Sequence, residues 1–337
     1  MSGLGNLTRR LLSHFPAALM RLAGRPAAVF FHGVEARIED PAIQSNHHDA
    51  DAFAEIARFL RDNFNVLPLA DISGVLRDPG RFRNAVFLMC DDGYANNLAA
   101  ADVLAGFGLP WTLFVSTRHI GTGVRSPVFV ARLFFHHAPE GRYDIAELGP
   151  VSLNGGNRAE QADLQVARLR AFDAGRAERA IAQMQSALSD LPALLDRFRS
   201  DAFLDWDHVR ALSRRGVEIG AHADLHWPMH GGQTAGYLQD QALLAREKIE
   251  AEVGRCRYFA YPFGNVGDIC PAAWRAVRDA GYEYAFTTLS GSLDASLNPF
   301  LMPRYGLALR EPRLPSVIAG LRLGNGRLRT WQRLMAR

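Results

Sequence analysis

From about residue 27 onward, short apolar runs alternate with segments of helical periodicity, and this alternation constrains the fold more than any other feature. Short apolar runs bounded by polar turns predict buried strands, whereas apolar residues spaced three or four apart predict helices. Strands that alternate with helices are typical of a parallel sheet or barrel, because a crossover helix must carry the chain back before the next parallel strand begins. The sequence therefore predicts an α/β fold.

The individual elements can be placed from this pattern. The predicted strands are residues 27–32, 85–90, 111–116, 217–221, 258–261 and 284–288. The predicted helices are residues 49–63, 97–107, 205–215, 238–253 and 271–280, and Phe53, Ile56, Ala57 and Leu60 share one face of the first. Residues 125–203 interrupt the alternation with an aromatic and His-rich segment, followed by a long helical stretch around 161–195. We expect a mainly helical insertion there.

Composition agrees with one large core. The chain of 337 residues is 48% hydrophobic and 22% charged, which is ordinary for a globular protein and excludes disordered or collagen-like classes. Its three cysteines, Cys90, Cys256 and Cys270, are odd in number and lack the short paired spacings of zinc ribbons or disulfide frameworks. They predict a reducing compartment.

Both ends of the chain are basic and amphipathic, so we divide it into residues 1–26, 27–310 and 311–337. Residues 1–30 carry four Arg and residues 313–337 carry six, and neither stretch contains Asp or Glu. The residues repeated at helical spacing are Leu4, Leu7, Leu11 and Phe15 at one end and Leu328, Trp331, Leu334 and Met335 at the other. Such helices could lie on an anionic membrane, and the alternative is that they pack on the body of the protein. The body shows no interleaving of basic and aromatic residues, which argues against a nucleic-acid partner.

The N-terminal region does not have the pattern of a secretion signal. Residues 11–31 look apolar, but Arg21, Arg25, Pro16 and Pro26 interrupt them before a signal-peptide core of useful length forms. No segment approaches the ~20 apolar residues that span a bilayer. We expect a cytoplasmic protein, with peripheral contact at the inner membrane face through the basic ends as an alternative.

Polar motifs follow three of the predicted strands. Asp-Asp-Gly at 91–93, His-x-x-x-His at 222–226 and Pro-Phe-Gly at 262–264 each come directly after an apolar run. In parallel α/β folds the carboxyl ends of the strands form the face where active sites are assembled. We therefore expect the three motifs to converge on one site.

The residue types in these motifs suit metal-assisted chemistry. Asp91 and Asp92 could divide metal ligation and proton abstraction between them. His222 and His226 are four residues apart, so in a helix or helical turn their imidazoles point the same way and could share one ion. A buried structural histidine is the alternative, but the position after a strand favours the metal. His230 repeats the spacing and is a weaker candidate ligand, since a proline precedes it in the same segment. Two His and one carboxylate leave open positions, as catalytic zinc or iron sites require.

These motifs, in this order, resemble the polysaccharide deacetylase family, the NodB homology domain of carbohydrate esterase family 4. The matching stretches are residues 86–94, 204–215, 217–226, 259–264, 282–288 and 303–305. The resemblance covers roughly residues 27–310 outside the insertion. It implies a distorted (β/α) barrel, often with fewer than eight strands. It also implies an enzyme that removes N-acetyl groups from amino sugars of a polysaccharide, or of its lipid-linked or nucleotide-linked precursor.

The resemblance also implies roles for single residues. In the family pattern the first acid is the base and the second a metal ligand, which carries over onto Asp91 and Asp92. His222 and His226 match the other two ligands of a divalent ion, for which zinc is the first candidate and Co²⁺, Ni²⁺ and Fe²⁺ are alternatives. Ala223 stands where the family has Ser or Thr, which removes a supporting hydroxyl but no ligand.

Two departures from the family pattern bear on catalysis. Many members carry an Arg two residues before the Pro of the third motif, where it steadies the base. Ala260 occupies that position here, and Arg304 could replace it from elsewhere. Many members also carry a C-terminal Leu-x-His as general acid, and no His follows His230 in this chain. His32, at the end of the first strand, is our candidate for the acid, and a strand-end residue hydrogen-bonded to a loop is the alternative.

The remaining expectations concern the substrate. We expect the backbone N–H of Phe263 to stabilise an oxyanion, with Tyr261 and Arg304 as further substrate or oxyanion contacts. The insertion should lie over or beside the cleft and bring aromatic residues that stack on sugars, unless these only anchor it: Phe129, Phe134, Phe135 and His136. The rival functions are a non-catalytic sugar-binding member of the same fold and an amidase acting on a small cyclic amide.

Overall fold

The structure is a computed structural model, and it describes residues 25–82, 84–307 and 326–336 of the chain. The strands, in chain order, are β1 Ala27–Phe31, β2 Gly33–Glu35, β3 His47–Asp49, β4 Asn65–Val66, β5 Ala85–Cys90, β6 Thr112–Val115, β7 Gly141–Ile145, β8 Gly149–Leu153, β9 Glu218–Ala221, β10 Tyr258–Ala260, β11 Tyr284–Phe286 and β12 Tyr305–Gly306. The α-helices are α1 Ala50–Asn63, α2 Ile72–Arg77, α3 Asn97–Gly106, α4 Pro127–His137, α5 Arg158–Arg170, α6 Ala174–Ser186, α7 Leu191–Arg197, α8 Trp206–Arg214, α9 Ala235–Val253, α10 Pro271–Asp279 and α11 Gly326–Met335.

Eight strands form one parallel sheet that curls into a half-barrel. Its order is β11-β10-β9-β6-β5-β1-β12, and β4 adds to β5. Every strand pair in this sheet is parallel, as the alternating pattern predicted. All six residues of β5 are buried, because helices or loops cover both faces of a parallel sheet. The predicted distorted (β/α) barrel is confirmed in this open form.

The helix boundaries follow from capping side chains. Asp49 precedes α1, and its carboxylate accepts the backbone N–H groups of Asp51 and Ala52. Asp205 precedes α8 and accepts the N–H of His208. Both helices were predicted one residue too early, because a capping residue lies outside the helix that it stabilises. The apolar face predicted for α1 is confirmed, since all four of its residues are buried.

The insertion forms its own layer with a separate hydrophobic cluster. The helical stretch predicted at 161–195 is broken into α5, α6 and α7, and the antiparallel hairpin β7–β8 precedes it. Phe134 and Phe135 are fully buried in this cluster together with Leu169 and Met184. Trp227, from the loop after β9, packs into the same cluster and fastens the insertion to the sheet.

The C-terminal helix α11 packs on the body of the protein. Leu328 and Met335 are buried, and Trp274 Nε1 donates to the carbonyl of Met335 at 3.0 Å. The apolar face considered for membrane contact is thus largely used in packing, although Leu334 stays 60% exposed. The N-terminal amphipathic segment lies outside the described residues, apart from its last two. Among the described helices, none is both long and apolar enough to cross a bilayer.

Candidate active site

The polar motifs converge at the carboxyl ends of the strands, as predicted. A cavity of about 380 Å³, which we call the catalytic cavity, lies at this edge of the sheet. It is lined from four strand ends by His32 after β1, Asp91 and Asp92 after β5, His222 and His226 after β9, and Phe263 after β10. Its volume lies within the usual range of small-ligand sites.

Asp92, His222 and His226 form a compact buried group. Asp92 Oδ1 lies 3.3 Å from His222 Nε2 and 2.9 Å from His226 Nε2, and the two ring centroids are 4.9 Å apart. The prediction that His222 and His226 lie in a helix or helical turn is wrong. Ala223 and His226 have φ of 60° and 58°, so an irregular loop turns both imidazoles toward Asp92.

The donor atoms of this group fit a divalent metal ion. His222 Nδ1 lies 2.7 Å from the carbonyl oxygen of Ala260 and donates its proton to it, so Nε2, which points at Asp92, is the nitrogen that could bind an ion. Asp92 Oδ1 is buried and makes no hydrogen bond with the described part of the chain. Burial alone would raise the pKa of Asp92, but the neighbouring imidazoles of His226 and His32 outweigh it and hold that pKa well below its usual range. Two imidazole nitrogens and one ionised carboxylate are a common donor set for catalytic zinc.

Asp91 is held by a two-pronged ion pair with Arg304. Arg304 Nη1 donates to Asp91 Oδ1 at 2.6 Å and Nη2 donates to Oδ2 at 2.8 Å. The guanidinium is fully buried, 4.4 Å from the ring centre of Phe30, and its Nε donates to the Thr287 carbonyl. Burial would raise the pKa of Asp91, but the Arg304 charge outweighs it and lowers that pKa. Arg304 thus lies where it can replace the Arg missing at Ala260.

The same geometry corrects two substrate contacts that we predicted. Arg304 pairs with Asp91, is fully buried and is not among the residues that line the catalytic cavity, so the structure does not bring its side chain to a substrate or oxyanion. Tyr261 is fully buried in the core, and its hydroxyl donates to the carbonyl of Phe300 at 3.0 Å. The structure therefore does not bring the Tyr261 side chain into the catalytic cavity.

His32 and Phe263 do line the catalytic cavity. His32 is partly buried, and this burial lowers its pKa, although the carboxylates of Asp92 and Asp91 act in the opposite direction. Phe263 has φ of 59°, and its ring lies 5.2 Å from that of His226. Their predicted roles as acid and oxyanion donor stay predictions.

His230 is engaged elsewhere. Its Nε2 lies 3.2 Å from the carbonyl oxygen of Phe172, and its Nδ1 accepts the N–H of Gly232 at 3.0 Å. Because both ring nitrogens have partners, His230 is not a substitute ligand in this structure.

The insertion supplies one wall of the catalytic cavity. Phe129 and Arg170 line it, whereas Phe134 and Phe135 only anchor the insertion and His136 is not among the lining residues. The Arg170 guanidinium lies 4.3 Å from the ring centre of Phe263, and its Nη2 donates to both carboxylate oxygens of Asp268. Sequence reasoning missed Arg170, because nothing in the pattern of α5 distinguishes this Arg from the others on that helix.

A curled parallel sheet with an acid pair and two histidines at its strand ends places this chain among the deacetylase-type (β/α) barrels. The sequence profile of the family described as polysaccharide deacetylase matches residues 80–285, and the chain belongs to this family. No curated protein matches this chain in sequence.

Solved structures share the fold at low sequence identity. One is the Streptococcus pyogenes deacetylase PplD in complex with acetate, with 13% identity over 88% of this chain and 97% of that chain and a TM-score of 0.55. Another is IcaB from Ammonifex degensii, with 15% identity over 89% and 97% and a TM-score of 0.55. A third is BC0361, a polysaccharide deacetylase from Bacillus cereus, with 13% identity over 87% and 69% and a TM-score of 0.53. At these identities the likeness establishes the fold.

Proposed function

We propose that this protein is a metal-dependent hydrolase that removes N-acetyl groups from amino sugars of a polysaccharide, or of its lipid-linked or nucleotide-linked precursor. The observation that carries the proposal is the buried group of Asp92, His222 and His226 beside an Asp91 that Arg304 holds in its ionised form. The family membership supports the deacetylase chemistry.

In this proposal Asp92, His222 and His226 hold the metal ion. A bound divalent ion of this kind supplies Lewis acidity, which polarises an amide carbonyl and lowers the pKa of water toward neutrality. Zinc is the first candidate, because imidazole nitrogen and carboxylate oxygen both suit it, with Co²⁺, Ni²⁺ and Fe²⁺ as alternatives.

Three other groups of the chain act on the substrate. Asp91 accepts the proton of the attacking water, since its lowered pKa keeps it ionised and Arg304 fixes its orientation. The backbone N–H of Phe263 donates to the developing oxyanion. His32 delivers a proton to the leaving nitrogen. Burial lowers the pKa of His32, so its imidazole starts neutral near pH 7 and would have to take up a proton, such as the one that Asp91 removes from the water, before it donates. The products are acetate and an amino sugar.

The shape of the site supports a glycan substrate over a small cyclic amide. A second cavity of about 780 Å³ adjoins the catalytic cavity, and both are lined by His32, Ser45, Asn46 and His47. Together they form a longer depression than a single small ring needs.

Acetate release from N-acetylglucosamine oligomers tests the proposal. We expect release by the purified protein, its loss after chelation, and its return when zinc is added. Asp91→Asn should keep zinc and lose acetate release, because a neutral amide cannot accept the proton. His222→Gln should lose both. His230→Gln is the matched control from the same loop and should keep both, since His230 lies outside the ligand group.

The other outcomes separate the rival functions. Oligomers that bind without acetate release would favour the non-catalytic sugar-binding protein. Ring opening of a small cyclic amide such as hydantoin, without acetate release, would favour the amidase. Either result contradicts the proposal.

A further inference from the structure

A second cluster of buried ligand-type side chains lies beside the catalytic cavity. It consists of Glu35 at the end of β2, His47 at the start of β3 and Asp201 at the end of the insertion, and one ligand atom from each lies within 4.8 Å of the others. His47 Nδ1 is 3.4 Å from Asp201 Oδ1 and 3.9 Å from Glu35 Oε1. Donors bound to one ion at about 2.0–2.2 Å lie roughly 3–3.5 Å apart, so small side-chain movements would allow all three to share one.

His47 is fixed in place with an unsatisfied nitrogen. Its exposed fraction is 2%, and its Nδ1 has no hydrogen-bond partner in the described part of the chain. A Cβ at Gly33 would fall 2.2 Å from His47 Cδ2, so the absence of a side chain at Gly33 is what admits the ring. The centre of the Tyr94 ring lies 5.3 Å from the centre of the His47 ring. A buried polar atom without a partner is costly, and a bound ion would satisfy it.

The charges in the cluster are also unbalanced. Gln44 Nε2 donates to Asp201 Oδ2 at 2.8 Å and Asn96 Nδ2 donates to Glu35 Oε1 at 2.7 Å, but these amides orient the carboxylates without neutralising them. The charge of Arg125 favours the ionised form of Asp201, but neither Arg125 nor any other Lys or Arg among the described residues forms an ion pair with Asp201 or Glu35. Burial accordingly raises the pKa of Asp201 to about 7 and lowers the pKa of His47 to about 3. Two carboxylates and a neutral imidazole would balance a divalent cation.

We propose that Glu35, His47 and Asp201 form a second divalent-cation site that fastens the end of the insertion to the β2–β3 pair. One nitrogen and two oxygen donors suit Zn²⁺, which accepts both imidazole and carboxylate, and the two carboxylates also suit the harder Mn²⁺. Asp201 lies far along the chain from Glu35 and His47, which belong to paired strands, so the ion would cross-link the insertion to that pair. His47 and Asp201 also line the catalytic cavity, and the ion would therefore fix the wall that the insertion contributes.

Metal stoichiometry tests this site independently of the catalytic one. The full chain is loaded with Zn²⁺, freed of excess by gel filtration and measured by elemental analysis, and a parallel sample is loaded with Mn²⁺. We expect two zinc ions per wild-type chain, one in His47→Gln or Asp201→Asn, one in His222→Gln, and none in the double variant His47→Gln with His222→Gln. His48→Gln is the matched control, because His48 is the next residue of β3, is equally buried and lies outside the cluster, and it should keep two.

Thermal unfolding gives a second measurement, because an ion that binds the folded chain raises its unfolding midpoint. The rise on adding zinc should be smaller in Asp201→Asn than in the His48→Gln control, and Glu35→Gln replaces Asp201→Asn if that variant does not fold. One ion in the wild type, lost in His222→Gln but kept in His47→Gln, would overturn the second site and leave the proposed function standing. One ion in the wild type that is lost only in His47→Gln would support the second site and overturn the proposed catalytic metal site. No bound ion in the wild type would overturn both sites.

Discussion

The buried pair of Arg304 and Asp91 allows the energetic argument to be tested most sharply. Arg304→Met keeps a long apolar side chain against Phe30 but removes both charge-assisted hydrogen bonds to Asp91. The carboxylate, only 1% exposed, is then left without its cation. Removing one partner of a buried ion pair costs about 3–5 kcal/mol, and we expect that loss in the free energy of unfolding.

A more exposed Arg–carboxylate pair that also has two hydrogen bonds provides the control. Arg257 donates to the two carboxylate oxygens of Glu283 at 2.7 and 2.8 Å, but the side chains are 30% and 44% exposed. Arg257→Met should therefore cost at most about 1 kcal/mol, because water screens the pair. The difference between the variants isolates the effect of burial.

Urea unfolding followed by circular dichroism measures both losses. A chelator is present throughout, so that metal binding does not contribute to stability. In an Asp91→Asn background Arg304→Met should cost much less, because no buried negative charge is left behind. If Arg304→Met and Arg257→Met lower the free energy of unfolding by the same amount within about 1 kcal/mol, the electrostatic account of Asp91 is refuted.

Three further predictions concern catalysis, acid stability and packing. His32→Ala should slow acetate release by roughly 10² to 10⁴ with metal content unchanged, and an unaffected rate would remove His32 as the acid. Burial lowers the pKa of His119 to about 3 in the folded chain, whereas an exposed His titrates at about 6.5. Below pH about 6.5 His119 is therefore protonated in the unfolded chain but not in the folded chain, and the free energy of unfolding falls. Urea unfolding of chelated His119→Gln should show about 2 kcal/mol less loss than wild type between pH 7.5 and 5, and an equal loss would contradict the shift. In Gly220→Ala the new Cβ would lie 2.5 Å from the Phe114 ring, and we expect the free energy of unfolding in urea to fall by about 1–3 kcal/mol. In the control Gly236→Ala the new Cβ meets nothing within 4 Å, so the change should be neutral or stabilising by up to about 1 kcal/mol. Equal effects of the two substitutions would contradict this packing.

The arrangement of the catalytic cavity could be predicted because its residues are attached to strands. Apolar runs such as residues 85–90 are legible in the sequence, and the carboxyl ends of parallel strands must share one edge. Asp91, His222 and Phe263 follow such runs, so their convergence required no knowledge of loop geometry. The position of Arg304 did not follow from this argument, because Arg304 precedes β12 at the amino end of that strand and its long side chain reaches across to Asp91.

What could not be predicted depends on irregular backbone and on contacts distant in sequence. Glu35, His47 and Asp201 belong to no motif, and Asp201 reaches the cluster only because the insertion folds back on the sheet. The loop at His226 uses a positive φ that a spacing of four does not reveal. The prediction that Tyr261 contacts the substrate could have been avoided. Side chains alternate along a strand, so Tyr261 shares the core-facing side of Phe259, and the two rings lie 5.1 Å apart.

Anomalous X-ray diffraction from zinc-loaded crystals tests the central claim most directly, because it locates the ion without reference to any substrate. We predict a zinc peak bonded to Asp92, His222 and His226 at about 2.0–2.2 Å, with Asp91 beside it and still paired with Arg304. A well-ordered cavity with no peak at these three side chains, in crystals that hold zinc elsewhere, would contradict the account.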